Sequence, residues 1–438
     1  MYHFLFPSGF DEDAGQPTIK QGAASAYAKE VCFMEVLYKR CCGIDIHKNM
    51  MVACIFTSVR KKEIRQFSTM TEDILQLVSW LKETDCEMAA MESTGSYWKP
   101  VYNIFEEEQI PIMVVNAQHI KGVPGRKTDV KDAEWIADLV RHGLVKASYI
   151  PNRDQRELRE ITRYRQEVIE ERARELNRIQ AVLEGCNVKL SSVITDISGK
   201  SGMTILKAIV SGETDPVVLS ELAEGRARDK IPEMQKSLQG RISEHQQKML
   251  KHQLGHIESL TALIMDLDAD IIKKTESINW AIEALDDMPG IGRKSAERIL
   301  AETGVEMEHF QNESRFSSWA GLVPECKESA GKKMSTRIRK GNKYLKATLV
   351  ECARAGIRNK QSYLYSRYQR IAARRGGKRA LIAVAHTMLI AIYHILKEKV
   401  PYHDLGADYY SVINQEKIIN RNIRTLEKLG VNVMIQPK

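Results

Sequence analysis

At 438 residues the chain is longer than one small hydrophobic core organises, so two or three domains are expected. Hydrophobic residues at 43% and charged residues at 28% are ordinary for a soluble globular protein, and no apolar run approaches the ~18 residues that span a bilayer. The net charge of +8 is unevenly spread: between Lys327 and Arg379, 17 Lys and Arg stand against two acids, so that segment carries +15 and the remainder −7.

A basic block inside a mildly acidic protein is the footprint of a nucleic-acid contact surface; the plainer readings are a solvated face or a contact with anionic lipid. Tyr344, Tyr363, Tyr365 and Tyr368 are interleaved with its cations, and no lipid-facing helix is evident there. Nucleic acid is therefore the expected partner, with no membrane. Eight cysteines occur without a CxxC pair, which suggests neither a zinc site nor a disulfide framework and fits a reducing cytoplasm.

Residues 1–33 show no clear periodicity and read as a poorly structured extension, without the basic start and apolar core of a signal peptide. From Met34 the pattern is strand-rich. "RCCGIDIH" and "MMVACIFTS" flank a polar turn, which predicts a hairpin, and "KEIRQFST" predicts a third strand. "TEDILQLVSWLKE" has helical spacing with Thr71 as its N-cap. "CEMAAMEST" is a buried-type strand, "SYWKPVYNIFEEE" a helix and "IPIMVVN" another strand. "DVKDAEWIADLVRHGL" is a helix with Ile136, Leu139 and Val140 on its buried side. Three strands, then helix–strand–helix–strand–helix, predict an α/β domain with a mixed sheet over residues 34–150.

Residues 151–280 read as helical. Two charge-rich stretches, residues 153–184 and 248–272, carry apolar residues at intervals of three and four. With a helical linker between them, they suit an antiparallel coiled coil or a dimer stalk, or else a plain bundle within one subunit. Residues 281–400 open with "LDDMPGIGRKSAERIL", whose Pro-Gly-Ile-Gly between apolar runs has a helix–hairpin–helix look. Gly290 and Gly292 would let backbone amides approach a phosphate, with Arg293 and Lys294 beside them; a structural tight turn is the alternative. The basic block, the apolar helix "KRALIAVAHTMLIAIYHILKE" and a tail over 401–438 follow.

Four carboxylates stand out. Alternation puts Ile44 and Ile46 on one face of the first strand and Asp45 on the other. Glu92 ends an apolar strand, where ligands of α/β sheets collect. Asp129 and Asp132 are three apart on one helical face. Together, an acid in strand one, an acid after strand four and a pair on the last helix match a ribonuclease-H-like arrangement. Converging carboxylates repel one another unless divalent cations intervene, and hard oxygen ligands select Mg²⁺ or Mn²⁺. Two such ions about 3.5–4 Å apart clamp the attacking and leaving oxygens of a phosphodiester displacement. Ser329, in "ESAGKK", opens the basic block; a serine hydroxyl needs a base, a metal or local charge to become a nucleophile, and no hydrolase elbow surrounds it.

Taken together, "GIDIHK", "MESTGSYW", "VVNAQHIKGVPGRKTDVKDAEWIADLVRHGL", "PGIGRKSAERILAE" and "WAGLVPECKESAGKKMSTRIRKGNKYLK" resemble, in order, blocks of the DEDD-type transposases of the IS-one-ten insertion-sequence family, which are similar to the Piv DNA invertases. The resemblance runs from about Met34 to about residue 400. It implies a RuvC-like N-terminal domain over 34–150, a coiled-coil dimerisation region over 151–280 and a mainly helical C-terminal transposase domain over 281–400. Carried over by position, Asp45, Glu92, Asp129 and Asp132 would be the metal-binding DEDD residues. Ser329 would attack the DNA phosphodiester and form a covalent protein–DNA intermediate, with Ser335 and Thr336 as neighbouring hydroxyls. DNA of the element ends and target, a structured guide (bridge) RNA and a homo-oligomer, dimer or tetramer, are the implied partners. Gly290, Gly292, Arg293, Lys294, Lys332, Lys333, Arg337, Arg339, Lys340 and Lys343 are the candidate nucleic-acid contacts. One rival is a resolvase-like nuclease that uses water with the same acids; another is a binding protein whose acids only pair with Lys and Arg.

Overall fold

Cys41–Ile46 (β1) and Met50–Phe56 (β2) are apolar nearly throughout and buried along nearly all of their length, the pattern of strands covered on both faces. Lys62–Ser68 (β3) is mostly polar, with Ile64 and Phe67 its apolar residues, and is largely exposed, which suits an edge. With Met88–Glu92 (β4) and Ile112–Val115 (β5) they form one sheet in the order β3-β2-β1-β4-β5. β2 runs antiparallel to both of its neighbours, whereas β4 and β5 run parallel to β1. The computed structural model describes residues 36–58, 61–93, 95–116, 129–325, 327–329, 332–335, 337–413 and 415–430, so the predicted N-terminal extension lies outside the described residues.

The two sheet faces carry different cores. Ile44, Ile46 and Met91 face Thr71–Glu83 (α1) and Trp98–Glu107 (α2), packing with Leu77, Leu81 and Phe105. Cys41 and Ala90 face Asp129–Arg141 (α3), packing with Ile136, Ala137 and Val140. The alternation read from "GIDIHK" is thus the one observed. The start of α1 differs from expectation: Met70 is the N-cap and Thr71 the first helical residue. The Asp73 carboxylate instead accepts from the Ser68 N–H at 3.1 Å, fixing the strand-to-helix turn from inside the helix.

The chain divides into two compact units, 1–150 and 151–438. In the second, Arg153–Gly185 (α4) begins at Asn152, whose side chain accepts from Gln155 N–H. Then come Leu190–Val193 (α5), Lys200–Val210 (α6), Pro216–Glu221 (α7) and Ile231–Ser237 (α8). Glu244–Lys274 (α9) starts from a capping box of Ser243 and Gln246. Leu158 packs with Ile271, Val168 with Leu260 and Leu267, and Ile179 and Leu183 with Leu250 and Leu254. The two long helices therefore pair antiparallel within one chain. The segment between them is more than a linker: Ile205, Leu206, Leu219 and Met234 close a core over the far end of the pair.

Asn279–Asp286 (α10), Arg293–Thr303 (α11), Glu313–Ala320 (α12), Lys343–Gly356 (α13), Tyr363–Arg375 (α14) and Gly377–Glu398 (α15) form the rest of the unit around a further core. α15 is long and apolar enough to cross a membrane by length and composition, contrary to the expectation that no run qualifies. Half of that stretch is buried, and Val384, Met388, Leu389, Ile392 and Tyr393 lie in the core, so here it is a core helix. The tail contains Tyr409–Ile413 (α16) and Gln415–Lys428 (α17).

Candidate active site

Ile44 on β1 is level with Met91 on β4. The next residues along these parallel strands are Asp45 and Glu92, so one pleat directs both to the same face at the C-terminal end of the sheet. That face is the one α3 covers. A Cβ added to Gly43 would sit 2.2 Å from the Ala133 carbonyl oxygen and 2.4 Å from the Ala137 nitrogen. Two residues earlier, the Cys41 thiol donates to the Ala137 carbonyl at 3.4 Å. α3 thus runs antiparallel along β1, one helical turn (about 5.4 Å) for every two strand residues (about 6.6 Å). Continued by one more turn toward the helix start, that register would bring position 129 level with Asp45.

Asp45 is 9% exposed, and its Oδ2 lies 3.1 Å from His47 Nε2. Glu92 and Asp132 are partly exposed, and the Asp129 side chain lies outside the described atoms. Among the described residues, no three His, Cys, Asp or Glu side chains are gathered closely enough to hold a metal. What the structure brings together is Asp45 and Glu92, at neighbouring positions on one face of the sheet end; Asp129 and Asp132 lie in the first turn of the helix that packs on that face. Their donors are all carboxylate oxygens, which suit a hard divalent cation. An ion pair between Lys62 of β3 and Glu134 also ties α3 to the sheet.

Ser329 belongs to a two-stranded hairpin of Lys327–Ser329 (β6) and Lys332–Ser335 (β7). It pairs with Lys332, the last pair before the turn, whereas Ser335 pairs with Lys327 at the open end. The legs continue below: Glu325 N–H donates to the Arg337 carbonyl at 2.7 Å and Arg339 N–H to that of Val323 at 3.0 Å. At the feet, Gly321 ends α12 in the left-handed region (φ +73°), and a Cβ on Gly341 would lie 2.4 Å from its nitrogen. Only two glycines permit that approach. The side chains of Ser329, Lys332, Lys333 and Ser335, and Thr336 altogether, lie outside the described atoms.

Two family models match this chain. One, described as a transposase of the DEDD IS110 type, covers residues 42–188; the other, Transposase IS116/IS110/IS902 family, covers residues 282–369. Together they take in more than half of the chain. The chain is an IS110-family transposase. No curated protein matches it. The first match contains β1, β4 and α3 with all four acids, and the second contains the serine hairpin and most of the basic block.

The transposase is a DNA-acting enzyme, and its DEDD domain carries an expectation of divalent-metal dependence. Of its candidate nucleic-acid contacts, Arg337, Arg339, Lys340 and Lys343 are exposed on the hairpin's second leg and the start of α13. Those of the Pro-Gly-Ile-Gly turn have neighbours in the fold. Lys294 donates to Asp268 of α9 at 2.8 Å, and Arg293 donates to Glu297 and Asn279 at 3.1 Å each. A Cβ on Gly290 would meet the Cys352 carbonyl at 2.3 Å, so this glycine makes room for α13. Tyr344 lies beneath Arg163, and Tyr363 packs against Tyr409 and Tyr410. Sequence reasoning missed Gly43, whose place inside an apolar strand was the signal for close backbone approach, and Asn342, a cap-type residue before an apolar helix.

Proposed function

We propose that this transposase cuts and rejoins DNA through the Ser329 hydroxyl, assisted by a divalent ion held by Asp45, Glu92, Asp129 and Asp132. The observation that supports the metal reading is the register of α3 on β1, which, continued toward the helix start, leads positions 129 and 132 in the direction of the sheet end where Asp45 and Glu92 share a face. The strand order, with β1 central and α3 across it, supports a ribonuclease-H-like, RuvC-like assignment for residues 34–150. A bound Mg²⁺ or Mn²⁺ would supply neutralisation of the scissile phosphate and a lower pKa for the attacking hydroxyl.

The chain's own residues do the rest. Ser329 gives up its hydroxyl proton to solvent as its oxygen attacks phosphorus. The bond from phosphorus to the DNA 3′ or 5′ oxygen breaks, that oxygen takes up a proton to leave as a hydroxyl, and the serine phosphodiester conserves the bond energy for rejoining. Its place at the hairpin tip, against the open end for Ser335, favours Ser329 as the group presented to DNA. Exposed cations of the second leg bind backbone phosphates, and this term weakens steeply with salt. The intrachain pairing of α4 and α9 supports the helical reading of residues 151–280; 281–400 as the transposase domain and 401–438 as the tail rest on the family resemblance. Guidance by a structured RNA and assembly as a dimer or tetramer rest on the family resemblance.

The test is Asp132→Asn, a near-isosteric change at a partly exposed site. Mg²⁺-dependent strand cleavage should fall to background while the salt-dependent affinity for element-end DNA stays within about twofold, since no phosphate-binding cation is removed. Cleavage at the wild-type rate would remove Asp132 from the site.

A further inference from the structure

Glu302, in the last turn of α11, is only 4% exposed, yet three side chains converge on its carboxylate. Arg163 of α4 donates Nε to Oε1 at 2.7 Å and Nη2 to Oε2 at 2.8 Å, a bidentate pair. Arg159, one turn earlier, lies 3.4 Å from Oε2 and donates Nη2 to the Glu302 carbonyl at 2.8 Å. Asn342 donates Nδ2 to Oε2 at 2.6 Å.

That last bond fixes which way the Asn342 amide points. With nitrogen committed to Glu302, the oxygen faces α13 and accepts from Tyr344 N–H and Leu345 N–H at 3.1 Å each. Asn342 is both the N-cap of α13 and the foot of the hairpin's second leg. Arg163 reaches the same spot a second time, its guanidinium 4.1 Å from the centre of the Tyr344 ring. Burying a carboxylate among guanidiniums carries a desolvation penalty that its attractions often only offset, so net stabilisation explains the cluster poorly. Fixing the orientation of one cap, and with it one leg of a hairpin, explains it better.

We propose that Glu302 is the positioning residue of the serine hairpin, locking Asn342 and the second leg to the long helix α4. The catalytic consequence rests on the reading of Ser329 as nucleophile; the mechanical link does not. In this arrangement the hairpin foot moves with α4, and a nucleic acid that displaces α4 displaces the hairpin as well.

A charge swap tests the link in the full-length protein. Asn342→Asp keeps a good helix cap but sets a second carboxylate against Glu302; adding Glu302→Gln replaces that repulsion with an amide-to-carboxylate hydrogen bond. Hydrogen exchange over residues 323–345 and tryptic cleavage after Arg337, Arg339 and Lys340 report on the leg. Asn342→Asp should speed both about tenfold or more, as expected for disrupting one buried charged hydrogen bond, without changing exchange in β1 and β2. The double variant should return toward wild type. Covalent adduct formation on element-end DNA should fall and recover in parallel, with DNA affinity unchanged. If Asn342→Asp does not fold, Glu302→Gln alone should still loosen the leg, because it removes the charge that holds Arg163.

Unchanged exchange in these variants, or loosening spread evenly over residues 151–438 with no recovery in the double variant, would overturn the proposal. Persistence of the adduct in Ser329→Ala would remove only the nucleophile reading, and the exchange data would still decide the role of Glu302.

Discussion

Gly43 is where the fold and the proposed metal site depend on the same contact. Adding one methyl at this position puts a carbon 2.2 Å from the Ala133 carbonyl oxygen, whereas ordinary contact begins at 3.4 Å. Both obstacles, the Ala133 oxygen and the Ala137 nitrogen, are backbone atoms, so no side-chain rotation relieves the clash. α3 must retreat from β1 by about 1.2 Å, an overpacking that costs about 1–3 kcal/mol. The same retreat carries positions 129 and 132 away from Asp45, and a misplacement of about 1 Å in a catalytic constellation costs about 100-fold in rate. Gly43→Ala should therefore lower the urea midpoint of the N-terminal unit and reduce Mg²⁺-dependent cleavage by about two orders of magnitude. Gly255→Ala is the control: it lies inside α9 with nothing within 4 Å of the added carbon. Exchanging a mid-helix glycine there should stabilise by about 0.5–1 kcal/mol. A Gly43→Ala protein with wild-type stability and cleavage would refute the packing of α3 on β1 and the site built from it.

Two further outcomes are expected. Burial pushes the Cys41 thiol up to about 12 and that of Cys54 up to about 11, so neither should react with a thiol reagent at pH 8 until the N-terminal unit unfolds. Mass spectrometry of briefly alkylated native protein checks this; rapid labelling of either would contradict the buried sheet. Burial alone would raise the Asp268 carboxyl, but hydrogen bonds from Arg165 and Lys294 carry it below its ordinary value. A depressed carboxylate contributes stability that is present above the unfolded pKa of about 3.9 and is lost as pH falls through the folded one. Asp268→Asn should thus lower the melting temperature most above pH ~5, and the gap should close below pH ~4; a constant gap would mean that the Arg165 and Lys294 contacts contribute nothing through charge.

The sheet was legible because "GIDIHK" and "MAAME" alternate or run apolar in ways only a strand accommodates. The four acids could be singled out because each sits at a position that one strand or one helix defines. Less was readable where the deciding partner is distant in sequence. Gly43 is explained by Ala133, Gly290 by Cys352, and the orientation of Asn342 by Glu302. No local pattern encodes those pairs. Thr71 looked like a cap by residue type, but the chain turns one residue earlier, with Asp73 holding the turn. The tyrosines of the basic block stood out as interleaved with its cations, and Tyr344 and Tyr363 have guanidinium and aromatic neighbours within the fold. The paired long helices were predicted as amphipathic; periodicity alone did not say that the partner is in the same chain.

The central claim is that this transposase attacks DNA with a serine rather than with water. The most direct measurement is a denaturing gel of protein incubated with Mg²⁺, labelled element-end DNA and RNA transcribed from the element's flank, comparing wild type, Ser329→Ala and Ser335→Ala. The account predicts a covalent protein–DNA band in wild type and Ser335→Ala that disappears in Ser329→Ala. Cleaved DNA without such a band, undiminished in Ser329→Ala, would contradict it and make water the nucleophile.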